Sequence, residues 1–200
     1  IHLHPWFQTN QYDVSAVVFN SAAKHAVCGN PKIIVVSLIP NLTCHRWSNS
    51  MFTDTWYCAA RAVELSTQPL ARVICNEPIV FFRAAKSGDY VALEDRCPHR
   101  QAPLSMGRVV GDEIMCVYHG WMVASDGRCT HVPHQDSVSP NAAVRSYPTS
   151  ERWGLVWVWI GDPAKADEGT IPEMPWLVSD DHSTILSCFH AKANYQLMPT

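Results

Sequence analysis

No stretch of this chain approaches the ~18 to 20 consecutive apolar residues of a membrane-spanning helix. Its longest candidate, Ile33 to Ile39, reads as a short buried strand. No dense block of Lys or Arg appears, and the formal net charge is −3, so neither nucleic acid nor an anionic membrane surface is an expected partner. Internal repeats and low-complexity tracts are missing. The N-terminus does not open with the charged region, apolar run and small-residue cleavage site of a secretory signal. Cysteine is plentiful, at eight residues, but a regular disulfide framework is lacking. Two cysteines belong to a motif described below, and Cys28, Cys44, Cys58, Cys75, Cys129 and Cys188 are scattered. Reduced thiols in a cytoplasmic protein are the expectation.

What remains is ordinary for a globular chain. Its 200 residues are 47% apolar and 16% charged, enough for one substantial domain or two small ones. The first fifty residues carry three basic residues and a single acid, Asp13, whereas residues 51 to 200 carry twelve basic residues and seventeen acids. The first methionine is Met51. Residues 1–50 are therefore expected to be a non-native or disordered extension, the alternative being an N-terminal subdomain with a strand from Lys32 to Ile39.

After Met51, 3.6-residue periodicity is scarce and short extended segments dominate. The expected strands are Trp56 to Ala60, Ala71 to Cys75, Ile79 to Arg83, Tyr90 to Glu94, Arg108 to Val110, Glu113 to Val117, Trp121 to Ala124, Arg128 to Val132, Val144 to Tyr147 and Leu155 to Ile160. Turn chemistry falls at Asn76-Glu77-Pro78, Ser87-Gly88-Asp89, Gly111-Asp112 and Asp126-Gly127. Many short, closely spaced strands predict a mainly β fold, an antiparallel sandwich or small barrel over residues 51–161. The acidic, proline-bearing segment Asp162 to Pro175 predicts a linker over 162–182. An apolar, strand-like pattern resumes from Ser183.

The chemistry concentrates between Cys97 and Trp121, in CPHRQAPLSMGRVVGDEIMCVYHGW. Cys97-Pro98-His99 and Cys116-Val117-Tyr118-His119 are two short ligand pairs separated by sixteen residues. Two thiolates with two imidazoles suit either a structural zinc ion or a two-iron cluster with one sulfur-ligated and one nitrogen-ligated iron. Both pairs fall at or just beyond the ends of extended segments, where adjacent hairpins can bring them together.

The pattern CxH, sixteen residues, CxxH resembles the Rieske [2Fe-2S] motif. The wider phrase CPHRxAPLSxGxxxGDxIxCxYHGW is similar to that of Rieske non-heme iron aromatic ring-hydroxylating oxygenases, alpha or oxygenase components, of the vanillate O-demethylase type. Val91 to Cys97 (VALEDRC) and Gly154 to Pro163 (GLVWVWIGDP) extend the resemblance. It implies that Cys97 and Cys116 bind one iron of a [2Fe-2S] Rieske cluster, and that His99 and His119 bind the other. Respiratory-type Rieske proteins add a cysteine to each loop and place a small hydroxyl residue where Trp121 stands, so the departures favour the low-potential oxygenase type.

The resemblance also implies a whole enzyme. Residues 183–200, with Ala193-Asn194-Tyr195-Gln196-Leu197, look like the start of a truncated α+β catalytic domain, whose mononuclear Fe(II) ligands are expected after Thr200. The implied partners are a reductase component of flavin and ferredoxin type using NAD(P)H and an aromatic acid substrate, with a homotrimer as the full-length assembly. The implied reaction is O-demethylation or hydroxylation, by mono- or dioxygenase chemistry. A stand-alone Rieske ferredoxin is the alternative, and a zinc-binding interaction module is a third class.

Outside the motif, plainer roles are expected. Cys58, Cys75, Cys129 and Cys188 read as buried, inert thiols. His131 and His134 read as solvated loop residues, His182 as part of a surface loop and His190 as a packing or polar residue. Trp153, Trp157 and Trp159 read as sandwich core, and Trp121 as both core and shield of the metal site. Arg100 and Tyr118 are candidates for docking or electron entry.

Overall fold

A computed structural model of the chain describes residues 53–180 in full and residues 14–23, 33–38 and 182–191 as strand backbone. The strands in chain order are β1 (Val14–Ala23), β2 (Ile33–Leu38), β3 (Thr55–Arg61), β4 (Leu70–Ile74), β5 (Glu77–Arg83), β6 (Tyr90–Glu94), β7 (Arg108–Val110), β8 (Glu113–Met115), β9 (Met122–Val123), β10 (Cys129–His131), β11 (Ser146–Tyr147), β12 (Thr149–Arg152), β13 (Leu155–Ile160) and β14 (His182–Ala191). Every pairing between them is antiparallel. The helices among the described residues are short 3-10 turns. The fold is the mainly β, antiparallel type expected from the sequence.

Period-two alternation places the layers. On β5, Ile79 and Phe81 join one core while Val80 and Phe82 join another, and all four are fully buried. β6 divides likewise, with Ala92 on the first face and Val91 and Leu93 on the second. The sheet β11-β6-β5-β4 is therefore a middle layer. Its first face packs on Val156, Val158 and Ile160 of β13, in the sheet β12-β13-β3. Its second face packs on Ile114 and Val123 of the small sheet β10-β9-β8-β7, which carries the ligand loops. We call the first two sheets the base and the small one the tip.

Residues 162–180, expected as a linker, are folded onto the base. The outward residues of β13, Leu155, Trp157 and Trp159, form a third core with Trp56 and Cys58 of β3, and Ile171 and Met174 close it. Trp56 Nε1 donates to Asp167 O at 2.8 Å and Trp159 Nε1 to Asp162 O at 2.9 Å. Apolar indole faces thus meet the strap's side chains while each ring N–H finds a carbonyl. The composition is that of a linker, but the two apolar anchors make it a strap.

Other differences are local. The turn expected at Asn76-Glu77-Pro78 lies one position earlier. Cys75 and Asn76 both have positive φ, 52° and 63°, making a two-residue hairpin of the primed kind, and Pro78 lies inside β5 opposite Val73. β12 was not expected; it pairs with β13 across Trp153-Gly154, both at positive φ. His182, expected in a loop, opens β14. Within residues 1–50 the described backbone consists of β1 and β2, with β1 between β14 and β2. The rest of that segment, and Asn194-Tyr195-Gln196-Leu197, lie outside the described residues.

Candidate metal centre

The two ligand loops share one backbone design. In the first, Cys97 N donates to Ala102 O at 2.8 Å and Gln101 N donates to Cys97 O at 2.9 Å. In the second, Cys116 N donates to Trp121 O at 2.8 Å and Gly120 N donates to Cys116 O at 3.0 Å. The residue four places after each cysteine has left-handed backbone, Gln101 at φ 58° and Gly120 at φ 70°. That conformation turns the chain back, so the ligand segment closes on its own cysteine. The imidazole follows two residues after Cys97 and three after Cys116, so the histidines project differently from matched loops.

The first loop is anchored at both flanks. Ser105 donates to Asp95 from its amide at 2.7 Å and its hydroxyl at 2.6 Å, while Leu104 is fully buried in the tip core. At Gly107, where the loop enters β7, an added Cβ would sit 2.1 Å from Met115 O. Only glycine lets the loop run that close to β8, the strand that feeds the second loop.

The four candidate ligands come together as two pairs. Cys97 and Cys116 are each 2% exposed, inside the tip core, close enough for Cys116 to act on the Cys97 thiol. Burial, with a smaller contribution from Cys116, pushes the Cys97 thiol up to about 11. A thiol so buried ionises readily only when a cation is present to hold the thiolate. His99 and His119 are both exposed, with ring centroids 4.6 Å apart and planes at 65°. Desolvation, then the neighbouring His119 and Arg100, hold the His99 imidazole below its ordinary value, which favours the neutral form that a metal ligand needs.

Aromatic rings flank both imidazoles. Trp121 stacks on His99 with centroids 4.8 Å apart and planes 1° from parallel, and Tyr118 lies 3.9 Å from His119 at 36°. Tyr118, Met106 and Val117 are exposed beside the site. Met106, Met115, Val117 and Cys116 line an open groove of about 370 Å³ along its flank.

Among the described residues no three of His, Cys, Asp and Glu converge on one point as a single-ion site requires. The four motif residues instead stand as two pairs, sulfur inside and nitrogen outside. That division fits two metal ions, one held by thiolates in the core and one by imidazoles at the surface.

The remaining candidates fall elsewhere. Cys58, Cys75 and Cys129 are buried, burial pushing the Cys58 thiol up to about 12, as expected of inert core thiols. All five cysteines among the described residues are free thiols. His131 and His134 are exposed and join no metal-binding group among the described residues. Trp157 and Trp159 are core, while Trp153 is partly buried beside them. The side chains of Cys188 and His190 lie outside the described residues. Sequence reasoning missed the Asp95–Ser105 tie and the left-handed Gln101. Neither leaves a local signal, because a carboxylate ten residues from its serine finds it only through the folded loop. Among the described residues no helix is long and apolar enough to cross a membrane.

Comparison with known proteins gives the following similarities. Residues 55–148 match the Rieske [2Fe-2S] domain. The chain is 44% identical over 145 residues to a putative toluene-4-sulfonate monooxygenase system iron-sulfur subunit from Comamonas testosteroni, covering 72% of this chain and 42% of that protein. It is 42% identical over 146 residues to the oxygenase component of dicamba O-demethylase from Stenotrophomonas maltophilia, covering 72% and 43% respectively. The crystal structure of apo dicamba monooxygenase superposes with a TM-score of 0.61 at 43% identity, covering 64% of this chain and 39% of that one. The chain thus spans about two fifths of the length of the curated relatives it matches.

Proposed function

We propose that the chain is part of a Rieske-domain oxygenase component and that residues 51–161 are the electron relay of that oxygenase. Cys97 and Cys116 hold one iron of a [2Fe-2S] cluster, and His99 and His119 hold the other. When bound, a cluster of this ligand type supplies one-electron chemistry at a potential of roughly −150 to +300 mV. The residues around it divide the work. The tip core keeps water from the two sulfur ligands, and the closed loop backbones hold them in place. The two imidazoles stand at the surface, so electrons enter and leave by that edge. His119, beside the exposed Tyr118, is the exit ligand, its free ring nitrogen available to a carboxylate of a neighbouring subunit.

In the whole protein the relay carries electrons from a reductase component of flavin and ferredoxin type, fed by NAD(P)H, to a mononuclear Fe(II) site. There an aromatic acid is O-demethylated or hydroxylated, in a cytoplasmic homotrimer. Residues 1–50 precede the relay, the strap over 162–180 leads out of it, and 183–200 open the domain that carries the second iron.

The observation that carries this reading is the sorting of donors, thiols paired in the core and imidazoles paired at the surface. Iron and acid-labile sulfide analysis tests it. Equal iron and sulfide per chain, lost together when any of the four ligands is replaced by Ala, is the expected result. A colourless protein with bound zinc and no sulfide would overturn it.

A further inference from the structure

A metal-bound histidine is commonly oriented by a hydrogen bond from its second ring nitrogen to a carboxylate, a carbonyl or water. Among the described residues the His99 ring has two aromatic contacts, an edge-on one with His119 and a stacked one with Trp121. The Trp121 contact is nearly parallel, at 1°, so it fixes the imidazole plane rather than merely filling space beside it.

Trp121 is itself held from two directions. Its carbonyl accepts the closing hydrogen bond of the second loop, from Cys116 N at 2.8 Å. Its side chain is partly buried against the tip core that contains Leu104, Ile114 and Val123. The indole therefore reaches from the second ligand loop to a ligand of the first. Gly120 makes this possible: its left-handed backbone, φ 70°, turns the chain between His119 and Trp121, so one loop offers a ligand of its own and a platform for the other loop's ligand.

We propose that Trp121 is a positioning residue for His99, a stacking platform that would set the plane in which that imidazole meets an iron. The inference rests on the Rieske reading of the four ligands. It makes the two histidines unequal. Both imidazoles are exposed and each touches the other, but the further ring differs: the partly buried Trp121 for His99, the exposed Tyr118 for His119. His99 is thus the more firmly backed of the two.

The test uses the loaded protein with W121L and W121F variants, leucine keeping an apolar side chain without a ring face and phenylalanine keeping a face. Three readouts are compared: nitrogen hyperfine couplings of the reduced protein, midpoint potential, and the rate of iron release to a chelator. The expected result for W121L is an altered coupling for one of the two histidine nitrogens, a shifted potential and release faster by about tenfold or more. W121F should restore the wild-type coupling and most of the retention. A loaded W121L with wild-type couplings, potential and release rate would overturn the proposal, as would a W121F no better than W121L. If W121L does not fold, W121F decides alone, and its failure to load with wild-type couplings rejects the stacking role. Absence of iron and sulfide from the wild-type protein would instead defeat the underlying cluster reading.

Discussion

The base and the tip of this domain are held together by different means. In the base, β13 has six consecutive buried residues and β5 is buried on both faces. Burying each large apolar side chain contributes roughly 1.5–3 kcal/mol. The tip is built from strands of two or three residues, too short to stand as an independent sheet. Its core takes in Cys97 and Cys116 beside Leu104, Ile114 and Val123, so the proposed sulfur ligands are themselves core residues. A base of this kind folds on apolar burial alone, whereas the tip gains its order partly from whatever its cysteines hold.

The largest effect should come from breaking the base. Phe81 is fully buried between the two large sheets, and Phe81→Ala should cost about 3–5 kcal/mol, lost transfer energy plus the cavity left behind. Urea unfolding should show a lower midpoint for the whole domain, with visible absorbance and circular dichroism lost in one transition. Separate transitions would mean that the tip does not depend on the base.

Breaking the tip should be partial. Cys116→Ala removes one of the proposed sulfur ligands and should abolish the visible absorbance. Amide hydrogen exchange should then quicken over residues 97–107 and 114–123 while β5 and β13 keep their protection. An intact visible spectrum would refute the ligand assignment, and uniform loss of protection would refute the division into base and tip. A chelator on the wild-type protein should reproduce the same local pattern.

A subtler way to loosen the tip is to leave both ligands in place and untie the first loop. Asp95→Ala strands the amide and hydroxyl of Ser105, which the carboxylate now accepts at 2.7 and 2.6 Å. Hydrogen bonds to a charged partner contribute roughly 1.5–3 kcal/mol, and this pair is only partly buried, so the lower end applies. The expected outcome is normal loading, faster iron release and a nearly unchanged unfolding midpoint for the base. Release at the wild-type rate would mean that Leu104 alone anchors the loop.

The same division explains what could be read from the sequence. β3, β6 and β13 were legible because alternating or continuous apolar residues announce a strand whatever lies opposite. β12 was not, since Thr149-Ser150-Glu151-Arg152 is polar throughout and is a strand only because β13 offers it hydrogen bonds. The Cys75-Asn76 turn was hidden because cysteine is an unusual occupant of left-handed backbone. In residues 162–180, Ile171 and Met174 are too few to outweigh the surrounding acids and prolines. At the site, the four candidate ligands stand out in the sequence because spacing along the chain marks them. The Asp95–Ser105 tie and the Trp121–His99 stack do not, because each joins residues that only the closed loops bring together.

The smallest predicted effect concerns the strap's attachment to the base. Asp54, just before β3, accepts from Lys165 Nζ at 2.7 Å and from Asp162 N at 2.8 Å. The Lys165 hydrogen bond, then the Asp162 amide, hold its carboxyl below the ordinary value. A carboxylate depressed on folding contributes stability that is fully present above its unfolded pKa and is lost as pH falls through the folded one. The wild-type protein should therefore lose a small increment over roughly pH 4 and below, and the loss should centre on residues 162–166. Asp54→Asn should start slightly less stable at neutral pH and converge on the wild type in acid. The pair is solvent-exposed, so salt should shrink the difference, while Ile171 and Met174 keep the strap seated. A stability gap between the two proteins that is the same at every pH would mean that Asp54 holds the strap through its shape and hydrogen bonds, with its charge contributing nothing.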